Sequence, residues 1–188
     1  MNFVSERMPR DKSPSRAFPR RFVLAALGFC GGLVLSPLGL RAATGAVRRL
    51  AVFDFTFIDT SLEPPTEAER ARLAALGNQL RARLAGEGRY QVITVPAALT
   101  ADLGDINRCN GCELTIGKKL GADLVAYGWV QKVSNLILNI NVVIEDVETG
   151  RQMVTASADI RGNTDESWRR GLDFLYEDRI APDLAANP

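Results

Sequence analysis

Cys109 and Cys112 enclose Asn110 and Gly111 and are followed at once by Glu113. A Cys-x-x-Cys pair can serve haem attachment, metal ligation, thiol–disulfide exchange or a small structural ring. Covalent c-type haem needs a histidine directly after the second cysteine, and Glu113 stands there, so haem is excluded. Structural zinc takes four ligands. With one such knuckle, only carboxylates such as Asp105 or Glu113 are left to complete a set, so no metal and no other cofactor is expected. Thiol exchange competes better, because the pair precedes a helical segment whose amino-terminal amides acidify a thiol. Against it, thioredoxin-like folds set the pair directly after a strand, whereas the preceding ADLGDINR is turn-like. A structural disulfide between Cys109 and Cys112 is favoured, with redox exchange as the alternative. Asn-Gly suits the tight turn of so small a ring, and loop entropy assigns the bond about 2 kcal/mol.

The chain contains no histidine. That removes Ser-His-Asp and Cys-His catalysis, histidine-ligated metals, and the side chain that titrates nearest neutral pH. Acid–base work falls to paired carboxylates or a shifted lysine, and the lysines are only Lys12, Lys118, Lys119 and Lys132. A non-enzymatic chain is the expectation. Two polar segments are candidate binding surfaces. Asp54 with Asp59, Thr60 and Ser61 follows a strand, at the carboxyl end where open α/β sheets bind ligands. Arg161, Asn163, Asp165, Glu166, Trp168 and Arg169 form the densest group of recognition-type residues, arginine and tryptophan being enriched in binding hot spots. The competing assignment for that second segment is a helix cap with Trp168 in the core.

The amino-terminal residues read as an export leader. Arg7, Arg10, Lys12, Arg16, Arg20 and Arg21 precede the apolar run FVLAALGFCGGLVL, which is followed by Ser36-Pro37 and the small-residue stretch LRAATGA. This is the order of a cleavable signal peptide, and the run is short of the roughly 20 apolar residues of a membrane span. Cleavage is expected after Ala42 or Ala46. Phe22 directly follows the arginine pair without the intervening residue of a twin-arginine signal, which favours general secretion. Phe29 before Cys30 is too bulky for a lipobox. The organisation expected is a signal peptide at 1–42, a linker at 43–48 and one α/β domain at 49–188. Export implies oxidising surroundings, and removing Cys30 with the leader leaves an even cysteine count. Cutting after Ala42 removes seven of 23 basic and two of 22 acidic residues, leaving 16 against 20, a net charge of −4. Such a surface is no footprint for nucleic acid.

Periodicity supplies the elements. Leu50–Phe57 (LAVFDFTF) is apolar on both faces up to Asp54, as a central strand is. Thr66 with Glu69 forms a capping box behind two prolines, and Leu73, Leu76, Leu80 and Leu84 follow at helical spacing to a stop at Gly86 or Gly88. Arg89–Val95 is a second strand, Ala97–Asp102 one or two helical turns, and Glu113–Leu120 a helix capped by Gly121. Ala122–Ser134 is the third strand. In Asn135–Asp146, Leu136, Leu138, Ile140, Val142 and Ile144 share a buried face, with Asn135, Asn139, Asn141 and Glu145 opposite. The turn Val147–Gly150 returns the chain into Gln152–Ile160. Asn163–Glu166 then caps a helix whose Trp168, Leu172 and Leu175 face inward. The fold class expected is α/β (α+β): a mixed sheet of about five strands ending in an antiparallel three-strand meander, with helices mainly on one face.

Two resemblances attach to these motifs. Ala122-Asp123-Leu124-Val125 with Gly128 and Val130, then Ile144 through Gly150, is similar to a pattern in the curli-secretion-channel family, the penicillin-binding-protein activator lipoproteins and the amino-terminal domain of the Tol propeller protein. Phe53–Pro65, Cys109–Val143 and Arg161–Leu172 together resemble an uncharacterised family of small exported bacterial proteins, known only as a domain of unknown function. The resemblance implies an envelope location and action by protein–protein contact, and carries no activity. The chain departs from those relatives in lacking a lipobox and room for a membrane-spanning hairpin. The expected function is a non-catalytic periplasmic accessory or binding domain with an unidentified cell-envelope protein as partner, no nucleic acid, and no stable membrane insertion after signal cleavage. The alternatives are a thiol–disulfide protein using Cys109 and Cys112, and a periplasmic small-molecule binder.

Overall fold

The computed structural model describes residues 46–61 and 64–187. The leader assigned to residues 1–42 lies outside the described residues. One six-stranded mixed sheet organises the rest: β1 (Arg48–Val52), β2 (Thr56–Asp59), β3 (Tyr90–Thr94), β4 (Leu124–Ser134), β5 (Ile137–Asp146) and β6 (Gln152–Ile160). Its order is β3-β1-β4-β5-β6, with β2 also paired to β4. The β1–β3, β1–β4 and β2–β4 ladders are parallel, while β4–β5 and β5–β6 are antiparallel. The terminal meander is as the alternation predicts.

Four helices cover the sheet: α1 (Glu67–Gly86), α2 (Cys112–Leu120), α3 (Asp165–Leu175) and α4 (Ala181–Ala186), with a wider π turn at Tyr176–Ile180 joining the last two. The residues of α1, α3 and α4 bury Leu76, Leu80, Leu84, Trp168, Leu172 and Leu184 against the face carrying Leu50, Ala126, Val130, Ile140 and Ile144. On the other face Ile116 of α2 packs with Ala51, Phe53, Val125, Tyr127 and Val143. Helices therefore lie mainly on one face, and β4, buried on both sides up to Gly128, is the strand the two cores share.

Four local expectations need correction. The run Leu50–Phe57 is two strands, because the chain steps out of the ladder at Phe53–Phe55 and re-enters beside β4 as β2. The step lets Phe53 fill the α2-side core and Phe55 the opposite one, while Asp54 faces solvent. Leu136 does not share the buried face of β5. It sits in the β4–β5 turn and is 71% exposed, since the reversal needs residues that the alternation assigned to the strand. Glu145 is not on a wet face: it is buried, accepting hydrogen bonds from the Tyr127 hydroxyl at 3.1 Å and Gln152 Nε2 at 3.0 Å. The first strand also begins at Arg48, inside the span read as linker.

Helix α3 approaches the sheet through Gly171, where a Cβ would run into Ile160 and come within 3.0 Å of Ile140. Alanine in a helix interior gains up to about 1 kcal/mol over glycine from backbone propensity, but overpacking a well-filled core costs about 1–3 kcal/mol. The second effect wins here. Gly171→Ala is expected to lower stability by about 1–2 kcal/mol in urea unfolding; an unchanged or raised midpoint would show that α3 is not seated this closely.

Candidate functional site

Lys132 lies on the inward face of β4 and is 1% exposed. Its Nζ is 2.9 Å from Glu69 Oε1 and 3.4 Å from Asp59 Oδ2. Alternation places it there, two residues on from Val130 and in line with Leu124 and Ala126. Glu69 is the third residue of α1 and closes the capping box: its Oε2 accepts from Thr66 N at 2.7 Å and Thr66 Oγ1 at 2.9 Å, while Thr66 Oγ1 accepts from Glu69 N at 3.2 Å. One carboxylate therefore caps a helix with one oxygen and balances a buried ammonium with the other.

Asn163 ties α3 to the same cluster. Its Nδ2 donates to Glu69 Oε1 at 2.7 Å and to Asn135 Oδ1 at 3.1 Å. Its Oδ1 accepts from Arg72 at 3.0 Å and from Trp168 Nε1 at 3.0 Å. Trp168 packs on Phe57 with ring centroids 6.1 Å apart, and the Arg72 guanidinium sits 6.0 Å from its ring. Burial works to raise the Glu69 pKa, but the hydrogen bonds from Thr66, Lys132 and Asn163 outweigh it and bring it from 4.5 to about 2. The Lys132 ammonium is pushed up, chiefly by its bond to Glu69 and against the opposing effect of burial.

The two predicted segments thus meet in space. Asp59 Oδ1 accepts from Ser61 N at 2.8 Å and Ser61 Oγ at 2.5 Å. Thr60 donates from both N and Oγ1 to the Lys132 carbonyl at 3.0 Å. Asp165 is on the rim, bound to Arg72 at 2.7 Å. Glu166 pairs with Arg169 at 3.6 Å and Arg170 at 2.8 Å, and Arg169 also reaches Asp173 at 3.0 Å. The carbonyl of exposed Arg161 accepts from Ser167 Oγ at 3.3 Å. Asp54 is not brought to this cluster; it pairs instead with Arg81 of α1. Trp168 is buried, so it acts in the segment as a core anchor and not as an exposed contact. Lys132 escaped the sequence reading, although its signal was present: a charge in register with apolar residues.

Above the network, α1 and α3 leave a groove of about 730 Å³. Its floor is Ala71, Ala75, Leu76 and Trp168. Its walls carry Arg72 and Arg83 from α1 facing Asp165, Arg169 and Asp173 from α3. Gln79 Nε2 bridges the walls, donating to Arg169 O at 3.0 Å and Asp173 Oδ1 at 2.9 Å.

On the opposite face of the sheet, Cys109 and Cys112 form a disulfide with Cα atoms 5.5 Å apart. Asn110 and Gly111 both take positive φ, 54° and 100°, which closes the ring and starts α2 at Cys112. Glu113, weighed in the sequence only as a possible metal ligand, is 7% exposed with Oε2 3.2 Å from Cys109 Sγ. Burial pushes its pKa up, reinforced by the Glu145 carboxylate.

These features define a class: a single mixed α/β domain with a cross-braced helical groove on one face and a disulfide-closed helix start on the other. A family described as "Protein of unknown function (DUF2380)" matches residues 48–180, and the chain belongs to that family. Among solved structures the chain is similar to the LpoB C-terminal domain from Salmonella enterica, at 18% identity over 64% of this chain and 87% of that one, TM-score 0.46. It is similar to the PelC dodecamer from Paraburkholderia phytofirmans, at 16% identity over 69% and 84%, TM-score 0.46. TolB from Acinetobacter baumannii aligns at 12% identity over 74% of this chain and 29% of its own length, TM-score 0.45. No match was found among curated proteins.

Removing one partner of a buried ion pair leaves an uncompensated charge and costs about 3–5 kcal/mol, so Lys132→Ala is expected to unfold at much lower urea. The pH dependence follows the same contacts. Glu69, lowered from 4.5 to about 2, stabilises fully above pH 4.5 and loses that contribution as pH falls towards 2. Asp59, lowered from 3.8, adds in the same direction. Lys132, raised from 10.5, contributes in full below that value and fades only above it. Urea midpoints from pH 7 to pH 2 should therefore drop mainly below 4.5, with a shallower drop in Glu69→Gln. Equal slopes in the two proteins would refute the assignment.

Proposed function

We propose that this is a non-catalytic accessory domain of the bacterial periplasm that docks on another cell-envelope protein through the α1–α3 groove. The observation that carries it is the groove itself: an alanine floor at Ala71 and Ala75, both exposed, between α1 and α3 walls tied to each other by the Arg72–Asp165 and Arg83–Asp173 pairs and by Gln79. A small-residue floor lets a partner's side chains approach the backbone, and arginine-lined rims supply the anchors that dominate protein interfaces. The walls are preorganised, which lowers the ordering cost of association. The leader-like residues before position 43 support export, and among the described residues no helix is long and apolar enough to cross a membrane. The Asp59–Ser61 turn has its polar groups engaged with Lys132 and with each other, which favours protein contact over a small ligand there.

A photo-reactive residue at Ala75 should cross-link in the periplasm to one discrete protein, whereas the same probe at Thr155, exposed on β6, should not. Arg169→Glu should reduce the Ala75 yield several-fold. An Ala75 pattern identical to that of Thr155 would defeat the proposal.

A further inference from the structure

The start of α2 combines a disulfide, a helix amino terminus and a buried acid. Cys112 is the first residue of a nine-residue helix and Cys109 lies just outside it. Both cysteines are only partly buried. Glu113 is more than nine-tenths buried, and its Oε2 reaches 3.2 Å from Cys109 Sγ. A carboxyl so placed could have turned to solvent from the first turn of a helix; instead it is held against sulfur. The groups facing it are the Glu145 carboxylate from β5 and, behind that, the Tyr127 hydroxyl from β4, which donates to Glu145. Neither is a cation; the backbone N–H groups of Glu113 and Gly111 favour the charged form, but burial, with the Glu145 carboxylate, outweighs them and favours the protonated carboxyl.

We propose that Cys109 and Cys112 form a redox-active pair that exchanges its disulfide with the dithiol of a partner protein, Glu113 supplying the proton to Cys109. A partner thiolate attacks Cys112 Sγ. The Cys109–Cys112 bond breaks, a mixed disulfide forms, and the electron pair leaves on Cys109. Glu113 passes its proton to that sulfur, giving the Cys109 thiol and the Glu113 carboxylate. The partner's second thiolate then attacks its own bridged sulfur, closing the partner disulfide and releasing Cys112 as a thiolate. Two electrons have passed from the partner dithiol to the pair. The partner's two protons go to solvent, from which Glu113 is reprotonated. Cys112 is the sulfur suited to remain ionised, because it sits at the positive end of the α2 dipole. Cys109 is the one suited to be protonated, because the acid lies against it. This chemistry sits on the sheet face opposite the groove, so docking and exchange do not compete for one surface.

The full chain is equilibrated in glutathione buffer, about 10 mM reduced and 1 mM oxidised, and scored by thiol alkylation; a redox-active pair is opened in roughly half of the molecules or more, whereas a purely structural bond stays closed. The rate of opening by dithiothreitol, expressed per thiolate, is then followed upward from pH 4.5. In the unmodified chain it should fall as pH rises through the raised Glu113 pKa, because the donor is lost. Glu113→Gln should be slower by about ten-fold or more at the acid end, with a flat profile. A merely structural glutamate would leave the profile's shape unchanged. Either a pair that stays closed in the glutathione buffer or a Glu113→Gln profile matching the parent overturns the proposal.

Discussion

The ammonium of Lys132, enclosed beneath two helices, is the constraint from which much of this domain follows. Burying such a charge alone costs many kcal/mol, so its counter-charges must be delivered to fixed positions before the core can close. Among the described residues Glu69 and Asp59 supply such charges, from the first turn of α1 and the end of β2. Asn163 then uses the same glutamate to hold the entry to α3. A hydrophobic contact in this position would tolerate sliding. A charge with two carboxylates and an amide tolerates very little, so the relative setting of α1, α3 and β4, and with it the width of the groove, is specified by polar geometry.

Much of the fold was legible because its signals are local. The capping box at Thr66, the Gly121 stop and the alternation through most of β5 all depend on residues within a few positions of each other. The misread features are those decided by distant partners. The break between β1 and β2 serves two cores whose other walls, α2 and α1, arrive from elsewhere in the chain. Glu145 is polar by type but buried because Tyr127 and Gln152, on the neighbouring strands, satisfy it. Leu136 fails for the opposite reason: apolar by type, it is exposed by the geometry of the turn.

The candidate site divides along the same line. Composition alone singles out the Arg161–Arg169 segment and the Asp59–Ser61 turn, yet not the lysine that joins them. Trp168 is buried beneath the groove, and Asn163, half-buried, braces it and ties α3 to Glu69 of α1. The groove floor is built from Ala71 and Ala75, which carry no chemistry a sequence pattern could flag. Their role comes from what α3 leaves uncovered.

Without histidine, proton transfer near neutral pH rests on what burial does to carboxyls, and here it does two opposite things. Glu69 is as buried as a side chain can be, yet the ammonium and amide donors around it hold it ionised far into acid. Such a group is a structural anion. Glu113 is almost as buried, but there burial, with the Glu145 carboxylate, outweighs the backbone N–H groups of Glu113 and Gly111, and its pKa moves the other way. Desolvation is common to both; the sign is set by the neighbours. A chain needing only a stapled helix start would place this glutamate in water, as Glu67 of α1 is placed, where it still favours the helix dipole. Burial against Cys109 raises the cost of ionising Glu113, and that cost has a chemical use only when the adjacent sulfur takes up a proton.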